Sequence, residues 1–406
     1  MNHLLRTGVM KRIFILLAFL SIIQYKMNAQ QQTPFNIPFL KADSSLYLSG
    51  TNLFTQEASY IGDFAGNLTG GKKTGTVYLG IANIKLSFDT KNIGLWEGGE
   101  FFVNGACTHG ATPSEKLLGD FQVASNIEAG DHIFIQELWY KHSIDKTEIT
   151  IGLQDINTQF VTSEFASSFI NSSFGIPSLI SDNVPVPIFP LTALGITGKV
   201  QLNESLSIQA ALFDGMPENF ENNQYNLDWN VNKNNGALIF TELQLTTNIG
   251  GISGTIKTGG YYHTRLDEVD KNTGSAETIF NENYGFYLIT DQTLWKRNEN
   301  CRIGLFAQFA VSPGGLNMHN HYLGGGIDYQ GVFTQNGDDA LGLAFANACF
   351  NCDEMKNETT IELFYKSTIT EKFFIQPDIQ YIINPAGAGD KLNNALAVFM
   401  RFGINF

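Results

Sequence analysis

Cysteine is scarce in this chain of 406 residues: there are four, too few for a disulfide scaffold, which only much smaller domains need. Cys107 and Cys301 fall at opposite ends of their predicted strands and are not expected to pair with each other. Cys349 and Cys352 form a lone CxxC without the second pair or nearby histidines of a zinc site, and without the helix start of a thioredoxin motif. A local loop disulfide between Cys349 and Cys352 is the expectation. Long apolar runs are also missing. After Ile23 no stretch of 18 apolar residues occurs, so no helix is expected to cross the inner membrane. Basic residues are few, 25 Lys and Arg against 39 Asp and Glu. That balance makes nucleic acid a poor partner. No Pro- or Ser-rich linker divides the chain and no repeat is evident, which points to one domain.

What the chain does have begins with Lys11 and Arg12, followed by a largely apolar stretch at 13–23 and a small residue, Ala29. This is the pattern of a cleaved secretory signal, too short to span a bilayer as a helix, which takes about 20 residues. Residues 1–29 are read as the signal, 30–45 as a short periplasmic lead and 46–406 as the main domain. The signal carries Arg6, Lys11, Arg12 and Lys26 and no acids, so the mature chain keeps 21 basic against 39 acidic residues, a balance of −18. Many acids sit in predicted loops, such as Asp267, Glu268 and Asp270. Solvated loops account for most of that charge, and a cation-favouring vestibule is the alternative.

The end of the chain alternates. Leu396, Val398, Met400, Phe402, Ile404 and Phe406 share one face, with Arg401 and Asn405 on the other. A strand with one face for oil and one for water fits the wall of a membrane barrel. The terminal aromatic, Phe406, resembles the signal by which outer-membrane barrels are recognised by the insertion machinery. About sixteen such segments recur, the first centred near residue 50 and the last near 400. Short links (89–94, 142–146, 203–205, 248–251, 296–300, 334–339, 370–372) alternate with long ones (60–73, 108–130, 155–190, 214–235, 264–283, 312–320). Short turns on one rim and long loops on the other are the plan of an outer-membrane barrel. The expected fold is therefore all-β, a transmembrane antiparallel β-barrel of about sixteen strands in the bacterial outer membrane.

The same alternation assigns the faces. Ile149, Ile151 and Leu153 point to lipid, leaving Gln154 inside. Ile361, Leu363 and Tyr365 oppose Glu362 and Lys366. Ile375, Ile379 and Tyr381 oppose Gln376, Asp378 and Gln380. Leu243 and Leu245 oppose Glu242 and Gln244. Ile303 and Phe309 oppose Arg302 and Gln308, and Ile84 and Leu86 oppose Lys85. With Arg401, these inward residues form a lining that would hold water and offer hydrogen bonds to neutral polyhydroxylated solutes; the competing reading is that they brace the wall. Trp96, Trp139, Tyr140, Trp295 and Tyr381 suit interfacial girdles, with a sugar-stacking tryptophan as the rival. The long segment at 155–190 starts at Asp155 and carries Phe160, Phe169, Asn171 and Phe174. Its length and apolarity predict that it folds inward as a constriction loop.

The segment Phe169, Ile170, Asn171, Ser172, Ser173, Phe174, Gly175 resembles the FINSSFG motif of the carbohydrate-selective, OprB-like porins. The run from Ile375 through Gln376, Pro377 and Asp378 to Asn384 and Pro385 is similar to that family's IQPDxQYxxNP pattern. Residues 136–140, 151–155, 195–200 and 215–217 resemble further segments, so the likeness covers about 46–406. It implies a sixteen-stranded porin that passes small carbohydrates, mono- and disaccharides, by facilitated diffusion, with the inward loop as its eyelet. Two departures bear on selectivity: basic residues that commonly line that family's constriction are hard to place, and 335–339 lacks an arginine before its aspartates. A general or cation-favouring pore is the alternative. An enzyme on a barrel would draw on His109, His263, His319 or His321, but no GxSxG is present and the HxH at 319–321 is too little for a metal site. An adhesin built on the long loops is the third class. No cofactor is expected.

Overall fold

The computed structural model describes residues 45–48 and 51–406, apart from 230, 232–233, 270–277, 299, 335 and 352–353. The expected signal, almost all of the lead and Cys352 lie outside the described residues. Cys349 is a free thiol whose Sγ donates to Asn347 Oδ1 at 2.9 Å.

A short strand, β1 (Ser45–Leu48), pairs with the start of β2. Sixteen strands then build the wall: β2 (Thr51–Thr69), β3 (Gly75–Asp89), β4 (Gly99–Gly110), β5 (His132–Ile144), β6 (Thr147–Gln154), β7 (Ala193–Gln201), β8 (Leu206–Asp214), β9 (Ala237–Ile249), β10 (Ile252–Val269), β11 (Thr278–Asn298), β12 (Cys301–Val311), β13 (His319–Gln330), β14 (Asp339–Phe350), β15 (Glu358–Thr370), β16 (Phe373–Ile383) and β17 (Ala395–Asn405). Each pairs antiparallel with the next, and β17 returns to β2 with Arg401 opposite Asp63. Closure leaves no unpaired edge, which is what allows a sheet to sit in lipid.

The alternation sorts side chains as the sequence predicts. Ile151 on β6, Leu243 on β9, Leu363 on β15 and Ile379 on β16 stand on the outer surface, while Glu242, Glu362 and Asp378 are buried inside. Three strand boundaries, in two expected loops, differ from expectation. The segment at 60–73, read as a loop, continues β2 as far as Thr69, and the loop read at 264–283 is cut short because β10 runs to Val269 and β11 begins at Thr278. In β2 the cause is visible. Its inner residues Ile61 and Ala65 pack in the apolar cluster that includes an inward-folded loop and alternate with the buried Asp63 and Asn67, so the inner face is mixed and the period-2 signal is blurred.

The wall is uneven. Strands β6, β7 and β8 have only 8, 9 and 9 residues, so the outer half of β5 stands above its neighbour. Loop residues complete its hydrogen bonding: Ile135 N donates to Tyr225 O at 3.1 Å, Asn226 Nδ2 donates to Ile135 O at 3.1 Å, and Thr192 Oγ1 donates to Gln136 O at 2.6 Å.

The interior is not simply wet, contrary to the expectation of a water-filled lining. Two apolar clusters occupy it. One joins Phe160, Phe165, Phe169, Phe174 and Leu179 of the segment between β6 and β7 to Phe240, Phe306 and Phe364 of the wall. The other joins Leu117, Leu118 and Ile127, between β4 and β5, to Leu79, Ile81 and Phe399. Close approach of loop to wall requires small wall residues. A Cβ added at Gly304 would collide with the Phe165 ring, and one added at Gly342 would lie 2.7 Å from Phe169 Cζ.

Candidate functional site

The loop at 155–192 travels along the inner wall, first past β8 to β12 and then across to β15 and β16. Asp155 caps a short turn at its start, accepting from Asn157 N at 2.9 Å and Phe189 N at 3.0 Å. Gln209 on β8 donates to Gln159 O, and Glu242 on β9 accepts from Val161 N at 2.9 Å. Lys257 on β10 donates to Thr162 O, and Asp291 on β11 accepts from Ser163 Oγ, Glu164 N and Phe165 N. Arg302 on β12 bonds Glu164. Gln376 on β16 donates to Ser168 O at 2.9 Å, and Glu362 on β15 accepts from Ile170 N at 2.7 Å and Asn171 N at 3.0 Å. Asn171 then caps the short helix Ser172–Gly175, and Gln308 on β12 donates to Phe174 O.

The loop between β4 and β5 also enters the barrel, which sequence reasoning missed. Glu358 on β15 accepts from Phe121 N and Gln122 N at 2.8 and 2.9 Å, and Gln380 on β16 donates to Ala124 O at 2.8 Å. Arg401 is held by both Asp63 oxygens at 2.8 Å and reaches Asn126 Oδ1 at 2.9 Å. The two loops bond each other through Asn126 N to Ile170 O and Ser172 N to Val123 O. Three acids outside the strands feel this burial. It pushes the carboxyls of Asp120 and Asp155 up to about 6 and that of Glu128 up to about 7, the last with added repulsion from Asp120.

Every inward residue named from the sequence does face inward, but their surroundings divide them. Arg401, Gln376, Asp378, Gln380, Glu362, Glu242, Gln154 and Gln308 are buried. They brace the wall and the loops instead of meeting open water. A backbone segment brought inside a barrel has N–H and C=O groups that must find partners, and these side chains supply them. Lys85, Gln244, Arg302 and Lys366 remain half-buried. Asp155, Asn171 and the phenylalanines 160, 169 and 174 belong to the loop as expected, with the three rings packed into its core against the wall.

Apart from His319 and His321, neighbours on β13, the candidate histidines lie on different strands. His263 is buried and bonds Gly215 O; His319 is buried between Ser178 Oγ and Cys349 O, both at 3.0 Å. His109 lies on the outer face against Tyr60 and Tyr78. Among the described residues no cluster of three or more His, Cys, Asp or Glu could hold a metal.

One sector differs. Among the described residues, the side-chain hydrogen bonds of the two loops do not reach the inner faces of β3 and β4 below Ile81 and Ala106, where Asn83, Lys85, Ser87, Glu100 and Phe102 stand half-buried. Beside them on β5, Trp139 faces inward opposite Phe102, and Lys141 opposite Glu100. Trp139 therefore departs from the expected girdle, whereas Tyr140, Trp295 and Tyr381 are on the outside. The alternation carried the signal: Leu138 and Tyr140 point out, so Trp139 must point in.

The model of the carbohydrate-selective porin, OprB family, matches residues 73–406. Porin B of Pseudomonas aeruginosa is 24% identical over 399 residues, 84% of this chain and 85% of that protein. The putative porin QuiX of Acinetobacter baylyi is 23% identical over 252 residues, 54% of this chain and 56% of that protein. The high-pH structure of Pseudomonas putida OprB shares the fold, with a TM-score of 0.78 at 21% identity over 87% of this chain and 94% of that one.

Proposed function

Because the chain belongs to the carbohydrate-selective porin, OprB family, and is an outer-membrane carbohydrate channel and not an enzyme, we propose that it passes mono- and disaccharides by passive, facilitated diffusion. The observation that carries this reading is the pair of loops bonded to the inner wall from β8 round to β17. They confine a solute to the remaining space beside β3, β4 and β5, where the half-buried polar side chains can replace part of its hydration. The loop at 155–192 is the constriction. Of the inward residues named from the sequence, Lys85 lies in this space and is assigned to solute contact, while Gln244, Arg302 and Lys366, half-buried on the other strands, are secondary candidates.

The charge on this surface does not favour a cation-selective pore. Most inward acids are buried under the loops, while Lys85, Lys141, Lys199, Lys257, Arg302 and Lys366 stay half-buried. Lipid is the partner of the outward apolar belt. Phe406, exposed at the end of β17, is assigned to recognition by the insertion machinery. Liposome swelling is the test: reconstituted protein should admit glucose and maltose, and exclusion of every small sugar would overturn the proposal. A reversal potential that reports strong cation preference would restore the alternative.

A further inference from the structure

We propose that Phe102 and Trp139 form a stacking site at which a hexopyranose pauses on its way through the barrel; this rests on the sugar-channel reading above. The two rings are stacked across β4 and β5, with centroids 4.7 Å apart and planes inclined by 21°. Both are half-buried inside the barrel, on the stretch of β4 and β5 beyond Asn104 and Glu137. Aromatic rings on a barrel wall bury themselves in lipid when they face outward. Facing a polar lumen, they offer an apolar surface to whatever passes.

The wall directly across from the indole carries no side chain. Across β6 from Trp139 lies Gly152, followed on β7 by Gly195. A side chain at Gly152 would fall 2.7 Å from Trp139 Cα, and the backbone there has φ +139°, which favours glycine. The Phe213 ring occupies the space above Gly195, and the Gln154 amide donates to Gly195 O at 3.0 Å, so Gly152 is the one position beside the indole that adds no side chain of its own.

Polar groups frame this slot as a sugar requires. Glu137 accepts from the indole Nε1 at 3.3 Å and holds the ring upright. Lys141 Nζ lies 5.5 Å from the Trp139 centroid and 2.6 Å from Glu100, which also accepts from Ser87 Oγ at 2.5 Å. A pyranose ring laid on the indole would place its C–H face on the aromatic surface and its hydroxyls at the rim, within reach of charged donors and acceptors.

The test uses the full-length protein in planar bilayers, titrated with maltose, with half-block of the ion current as readout. Trp139→Ala should raise the half-blocking concentration about tenfold, and Trp139→Phe less than about threefold. Ion conductance without sugar should stay near wild type, which separates a lost sugar contact from a disturbed wall. Phe102→Leu provides a second variant, expected to weaken block severalfold, and it carries the test if Trp139→Ala fails to insert. Wild-type half-block in these variants, with wild-type sugar permeation intact, overturns the stacking site alone. A wild-type barrel that admits no sugar overturns the channel reading and the site with it.

Discussion

Two sectors of the inner wall carry the same kind of residue and do different work. From β9 to β16, Glu242, Asp291, Glu358 and Glu362 accept from loop N–H groups, and Gln376 and Gln380 donate to loop carbonyls. Along β3, β4 and β5, Glu100, Ser87 and Lys141 bond one another beside an aromatic pair. A polar residue facing inward is therefore not yet a pore residue. Whether a loop needs its hydrogen bonds decides the matter.

The strongest way to break this contrast is to remove a brace from the covered sector. Arg401→Ala leaves Asp63, fully buried, without its bidentate partner. Loss of one member of such a pair costs about 3–5 kcal/mol. Chemical unfolding in detergent should show that loss, and single-channel recordings should show a larger, noisier conductance as the loops loosen. By contrast Glu100→Gln, in the open sector, disturbs a pair whose side chains keep 29% and 32% of their exposure. Its effect on stability should stay within about 1 kcal/mol, while sugar block changes.

A smaller effect is expected from crowding the seat of the loop. Gly342→Val places atoms against the Phe364 and Phe169 rings. Overpacking of this kind costs about 1–3 kcal/mol, and proteolysis within 155–192 should accelerate. A valine at Gly105, where a Cβ would meet only Ile84 O at 4.0 Å, is the control that should leave the loop protected.

The mildest perturbation is pH. Asp120 and Asp155 hold their protons up to about 6 and Glu128 up to about 7 in the folded loops, whereas free carboxyls lose theirs near 4. The folded loops thus bind more protons than unfolded ones between these values, so stability falls as pH rises from about 4 to about 7. Hydrogen exchange of the loop at 111–131 should be slower at pH 4.5 than at pH 7.5 after correction for intrinsic rates. Equal protection at both values would mean that these acids do not hold the loop.

Much of this was legible from alternation. The closing strand from Ala395 to Asn405 announces both faces, and Glu362 or Gln376 could be placed inside without coordinates because a side-chain period of two has no third option. Residues 169–175 could be assigned to an inward segment from their apolarity. The second loop was hidden because its own apolar residues, Leu117, Leu118 and Ile127, are spaced among charged and small ones. The extension of β2 was hidden because its inner face mixes apolar Ile61 and Ala65 with polar Asp63 and Asn67, which blurs the alternation.

The sequence by itself determined the barrel plan and, where the alternation is clean, which side of the wall a residue occupies, since local alternation and turn residues are enough for that. Only the tertiary structure decided which inward groups are structural. That choice depends on contacts between residues more than a hundred positions apart, such as Glu362 with Ile170 and Arg401 with Asp63. No local period encodes them. The same long-range packing left Phe102 and Trp139 uncovered on the inner wall, and so separated a candidate binding surface from a brace.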